Sequence, residues 1–307
     1  MTDSDTNLQP WRTIAPTAFL QFDAIAATAE RSVPRALFDA LERLIAVLLR
    51  IPGLSRPNDT PKNGGEAMTS ALNFAEQFVI DVASMTDELR NAMYSEMGTE
   101  TLVFVQTVYV ADVFTRARIG LAKVFGTPYI PSLVPEDSVD AAQLWAQIES
   151  FMTTVAKLRS LDPLTTELVR LQGARVHDCR LCRSRLSVRA LDAAEAAGSA
   201  SVFDGLDDLE TAPMSERART AVRLADALVT QPSLIDTEFA ASARALLTDA
   251  EITEIVLDVV RNAANKIAVA FGADAPVVTE GVEYFDIGAD GEMVVDTDQQ
   301  RVRAATE

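Results

Sequence analysis

The chain has 307 residues, with 27 Lys and Arg against 45 Asp and Glu, one His and two Cys, a length that makes two domains the expectation. A net charge of -18 excludes nonspecific binding to nucleic acid or to an anionic membrane. Two cysteines exclude a secreted disulfide framework, and the acidic opening MTDSDTNLQP has no apolar signal core. Residues 1–15 read as a flexible tail. From Phe19 to Leu49 apolar residues recur at helical spacing, with Phe38, Leu41, Leu44, Ile45 and Leu48 on one face. The aliphatic run Leu44 to Leu49 is too short for a bilayer, which needs about 20 residues. Ile51 to Glu66 gathers Pro, Gly, Asn and Asp and is predicted as loop. Helices are predicted over Met68–Ser84, Thr86–Met97 and Glu100–Phe125, before a break rich in Gly126, Pro128, Pro131 and Pro135.

The second half repeats this style. Helices are predicted over Ala141–Leu158, Pro163–Val176, from the cysteines to about Ala197, and over Ser215–Thr230, Asp236–Leu247 and Asp249–Phe271. Ser215 and Asp249 read as N-caps and Gly272 as a C-terminal cap. Gly198–Met214 is an acidic loop. Val282–Ile287 and Glu292–Val295 flank Gly288–Gly291 as a small hairpin. Composition agrees: 48% hydrophobic residues and only 13 Gly and 13 Pro lean to an all-α protein.

An internal similarity organises these elements. The interval from Ala75 to Leu89 equals that from Ala225 to Phe239. Asp112 lies 13 residues before Phe125-Gly126, as Asp258 does before Phe271-Gly272. The pattern reads as a degenerate duplication. The expected organisation is a tail (1–15), a first helical unit without cysteine (16–126), a second unit with both cysteines (127–275) and an extension (276–307).

The chemistry concentrates in Glu167-LVRLQGARVHD-Cys179-RL-Cys182. Cysteines three apart on a helix share a face and lie close enough to bridge. Asp178 reads as their N-cap, so the helix start favours a thiolate. Six arginines fall between Arg170 and Arg189. Of these, Arg180 and Arg183 are the candidates for lowering a thiol pKa from its usual value of about 8.5. Zinc needs about four ligands where this chain offers two Cys and one His. Haem attachment needs a His after the second Cys, where Arg183 stands. A pair of inert buried thiols is the bland alternative.

Glu, eleven residues, CxxC, then helix resembles the alkylhydroperoxidase D / carboxymuconolactone decarboxylase superfamily. The run Thr248–Ile252 with Val256–Phe271 resembles it too, so the likeness covers about residues 130–275, and 65–126 more weakly. It implies an all-α fold of alkylhydroperoxidase D-like units that assemble as trimers or hexamers, and with the extent of the apolar helical faces the expectation for this chain is a homo-oligomer (trimer or dimer). It also implies a peroxidase or disulfide oxidoreductase in which Cys182 attacks, Cys179 resolves and Glu167 relays a proton. Leu186 and Leu181 stand where the family's relay and inter-cysteine histidines would be, leaving His177 as the imidazole available. No metal or cofactor is implied. The expected partners are a hydroperoxide or other small substrate and a thiol or disulfide electron donor, with a cytoplasmic location. Two alternatives stand beside this: a non-catalytic redox-responsive or structural member, and a cofactor-free lactone decarboxylase.

Overall fold

The computed structural model describes residues 9–51, 65–136, 139–203 and 211–295. Residues 1–8 of the expected tail, 52–64 of the first loop, 204–210 of the acidic loop and 296–307 of the extension lie outside that range. Helices α1 (Pro10–Ile14), α2 (Pro16–Ser32) and α3 (Arg35–Leu48) come first. The single helical run over 19–49 is therefore two helices. Pro34 divides them, because a proline lacks the amide hydrogen and forces Val33 into extended backbone. Next come α4 (Gly65–Asp81), α5 (Asp87–Met97), α6 (Thr101–Tyr109) and α7 (Thr115–Phe125), the last two joined by a π-helical turn over Val110–Phe114. Thr86 caps α5 by accepting the Leu89 amide, and Gly126 follows α7 at φ +67°.

The second half contains α8 (Leu144–Val155), α9 (Pro163–Val176), α10 (Arg180–Arg183), β1 (Arg185–Ser187) and α11 (Val188–Ala196). It continues with α12 (Glu216–Thr230), α13 (Thr237–Leu246), α14 (Asp249–Ala263), α15 (Asn265–Ala270), β2 (Glu283–Ile287) and β3 (Met293–Val295). Local chemistry starts most of these helices. Asp162 caps α9 with Pro163 at its first position, Ser215 caps α12, and Asp236 caps α13. For α14 the cap is Thr248, one residue before the expected Asp249, because Glu251 returns a bond to the Thr248 amide and closes a capping box. Gly272 takes φ +69° after α15.

The expected hairpin forms, with Asp286 opposite Val294, and it gains a third strand. β1 runs parallel to β2, pairing Leu186 with Tyr284. The continuous helix read from the cysteines to Ala197 is thus interrupted. The Glu283 amide binds the Ser184 carbonyl at 2.7 Å, and the sheet takes Arg185–Ser187 out of helix.

The main apolar core among the described residues runs from Trp11 to Ala270 and is shared by the two halves, while a smaller cluster of Leu168, Val202, Ala218 and Val222 belongs to the second half alone. Residues 9–15 are likewise no loose tail. Trp11 is fully buried and stacks on Tyr129, while Arg12 pairs with Asp23 at 2.9 Å and reaches the Ile130 carbonyl. Composition overlooked one tryptophan's capacity to anchor a short helix.

The element order α4–α5–α6–α7 recurs as α12–α13–α14–α15, and contacts across the halves are reciprocal. Tyr94 of α5 stacks on Phe271 at 6.0 Å. Arg244 of α13, its counterpart on the Ala75/Ala225 register, lies 5.8 Å from the ring centre of Phe125. Arg116 binds the carbonyls of Val79 and Val229, which hold matching places near the ends of α4 and α12.

Candidate functional site

Helix α9 ends at His177, and Asp178 turns the chain at φ +46°, an uncommon conformation for a residue with a side chain. Asp178 is therefore not the cap of the cysteine helix; Cys179 is. Cys179 and Cys182 are joined as a disulfide across this turn, with Cα atoms 5.3 Å apart. Every amide of the turn has a partner. Arg180 and Leu181 donate to the side chain and carbonyl of Asp274, Cys182 donates to Sγ of Cys179 at 3.2 Å, and Arg183 donates to the Cys179 carbonyl. Both cysteines are buried, Cys179 at 1% exposure and Cys182 at 7%.

Glu167 is buried one helix earlier and is held by Arg170 through two bonds of 2.7 and 2.8 Å. It also accepts the Ser187 amide at 3.1 Å. Arg170 reaches onward to the carbonyls of Cys182 and Arg185 and lies over the ring of Phe285. The Glu167–Arg170 pair thus clamps the backbone that leaves the disulfide. Arg180 and Arg183 are exposed, at 56% and 57%, and their guanidinium groups bind Asp274 and Asp178 at 2.6 Å. The structure pairs both with carboxylates, not with sulfur.

His177 is buried within electrostatic reach of a buried charged knot. Asp112 binds Arg116 at 2.6 Å and Lys266 at 2.7 Å. Burial lowers the His177 pKa well below 6.5, and the Lys266 and Arg116 charges lower it further, so the imidazole is neutral. Burial alone would raise the Asp112 pKa, but those two cations outweigh it and hold the carboxyl below its ordinary value.

A cavity of about 280 Å³ opens on the other side of Glu167. Its apolar wall includes Leu158, Leu161, Phe285 and Ile287, and its polar wall includes Glu167, Arg159, Glu254, Asp258 and Arg261. Neither sulfur lines it. Glu254 accepts the amides of Ser160 and Leu161. Asp258 is 3% exposed, and its Oδ2 has no hydrogen-bond partner among the described residues. Burial pushes its pKa up from 3.8 to about 7; Arg261 opposes this shift and Glu254 adds to it.

The sequence singles out Glu167, Cys179 and Cys182 in one segment, but not Arg170 as the partner of Glu167, nor Asp274 or Asp258. Arg170 was legible as the i+3 partner of Glu167. Asp274 was not, because its role depends on a return of the chain more than ninety positions later. Among the described residues no group of three or more His, Cys, Asp or Glu is arranged to hold a metal, and no helix is long and apolar enough to cross a membrane.

Compared with curated proteins, the chain is 37% identical over 260 residues to "Uncharacterized protein MT2376" of Mycobacterium tuberculosis (strain CDC 1551 / Oshkosh). It is equally similar to "Uncharacterized protein Rv2313c" of strain ATCC 25618 / H37Rv. Each alignment covers 83% of this chain and 90% of the relative. No protein-family profile and no solved structure matches.

Proposed function

The chain belongs to the family of the mycobacterial proteins MT2376 and Rv2313c, and we propose that it acts as a thiol–disulfide redox protein through Cys179 and Cys182. The observation that carries this reading is the bonded pair itself, spanning a four-residue helix whose backbone is fixed from outside by Asp274 and Arg170. Backbone fixed in this way keeps the two sulfurs adjacent in both redox states. The resemblance to alkylhydroperoxidase D, carried by Glu167-x11-Cys179-x2-Cys182, supports a peroxide as oxidant and a homo-oligomer as the working form.

In the proposed cycle the Cys182 thiolate attacks the terminal oxygen of a hydroperoxide, giving a sulfenic acid and an alcohol once the leaving alkoxide takes a proton. The Cys179 thiol then displaces water from that sulfur and forms the disulfide. The pair loses two electrons, and an external dithiol restores them. Cys182 is the less deeply buried of the two residues, which supports its role as the one that meets the hydroperoxide. The Cys182 amide donates to Cys179 and stabilises negative charge there, which suits a resolving thiol that must ionise.

A second reading has its own observation. Both sulfurs are buried and Glu167 is engaged by Arg170, as a structural or redox-responsive staple would be. Stopped-flow mixing of the reduced protein with several hydroperoxides separates the two. A redox enzyme oxidises rapidly with stoichiometric peroxide and recovers with a dithiol; a staple reacts no faster than a free thiol.

A further inference from the structure

The cavity beside Glu167 is lined by more charge than its apolar walls require, and most of that charge is already engaged. Glu167 is bound by Arg170, Arg189 by Asp286 at 2.9 Å, and Arg159 donates to the carbonyls of Ala156 and Leu158. Two groups on one face of α14 are left over. Asp258 has a buried Oδ2 without a hydrogen-bond partner among the described residues, and the side chain of Arg261, three residues on, lies in the field of Asp258 and Glu167 but makes no hydrogen bond or ion pair with a described residue. A buried carboxyl without a partner is costly, and a cation within one helical turn would ordinarily be recruited to relieve it.

The other half of the molecule provides an internal comparison. On the register that pairs Asp112 with Asp258, Arg116 corresponds to Asn262. Asp112 is satisfied by Arg116 at 2.6 Å and by Lys266. With Asn262 in the arginine's place, Asp258 loses that clamp and instead borders a cavity. The same helical position therefore holds a structural ion pair in one half and an uncommitted acid in the other.

We propose that this cavity binds a small zwitterion of the amino-acid type, with its ammonium group on Asp258, its carboxylate on Arg261 and an apolar side chain against Leu158, Leu161 and Phe285. One ligand of this kind satisfies both leftover charges at once, whereas an amine or an acid alone leaves its opposite number unpartnered. The apolar wall selects a hydrocarbon side chain over a polar one. Binding draws Asp258 into its ionised form, so a proton leaves the protein on association at neutral pH.

Calorimetric titration of the full chain with L-leucine tests this, with 4-methylpentanoate (carboxylate only) and isopentylamine (amine only) as comparison arms. Leucine is expected to bind at least about tenfold more tightly than either analogue, with proton release visible as a dependence of the heat on buffer ionisation. Asp258→Asn should weaken leucine by about tenfold or more and leave 4-methylpentanoate unchanged; Arg261→Gln should weaken both and leave isopentylamine unchanged. Asp258→Asn removes a buried ionisable group without changing its shape, so it serves as the variant that keeps the fold. Absence of leucine binding overturns the proposal. So does an analogue that binds as tightly as leucine, or an Asp258→Asn protein with undiminished affinity.

Discussion

Asp112 and Asp258 stand at matching positions in the two helical halves, yet Asp112 is bound by two cations while Oδ2 of Asp258 has no hydrogen-bond partner among the described residues. The difference is energetic as well as geometric. Asp258 holds its proton to about pH 7 in the folded chain, against 3.8 for an ordinary aspartate. A raised carboxyl pKa means that the folded state binds the proton more tightly. Its contribution is full below 3.8 and is lost as pH rises through about 7. The loss is on the order of 4 kcal/mol.

Asp258→Asn should therefore change the pH profile more than it changes stability in acid. Urea unfolding of variant and parent should show the variant gaining on the parent as pH rises from 3.8 toward about 7. Parallel profiles would mean that this carboxyl ionises normally in the fold.

His177 should act in the opposite direction. Its folded pKa is depressed, so its contribution is present above 6.5 and is lost as pH falls below that value. His177→Gln should flatten the first part of the acid limb relative to the parent in urea or thermal unfolding. An unchanged acid limb would place the imidazole in water.

Much of this fold was legible residue by residue, because its helices begin with local chemistry. Thr86, Asp162, Ser215 and Asp236 each cap the helix that follows, and the capping box at Thr248 needs only Glu251 three positions on. β1 was not legible. Its three residues become strand only because β2 supplies an edge almost a hundred positions later. Trp11 was missed for a related reason: its burial depends on Phe125 and Tyr129. The Asp112/Asp258 register was visible in sequence, and the change from Arg116 to Asn262 was visible with it. What only the structure adds is that, among the described residues, no hydrogen-bond partner replaces the missing arginine at Oδ2 of Asp258.

Glu167 is expected to matter for stability before it matters for proton transfer. Glu167→Gln leaves Arg170 without its carboxylate in a largely buried site, a loss of about 3 kcal/mol. Adding Arg170→Met should cost less than the sum of the two single changes, as expected for partners in one network. Denaturant midpoints of the four proteins would measure the coupling. Additive losses would mean that the pair contributes nothing as a pair.

The two cysteines should be unequal in reaction. Cys182→Ser should no longer react with hydroperoxide, whereas Cys179→Ser should react once and stop as a sulfenic acid, trapped by dimedone and read by intact mass. The reverse pattern would exchange the roles of the two sulfurs.

The central claim, that Cys179 and Cys182 cycle and do not merely staple α10, is tested most directly by the reduction potential of the pair. Equilibration in glutathione buffers, followed by alkylation and mass measurement, gives that potential. A cycling pair should fall between about -270 and -180 mV, the range of dithiols that exchange with cellular donors. A value below about -300 mV, typical of disulfides that resist the glutathione pool, would contradict the redox function and leave the pair as a structural bond.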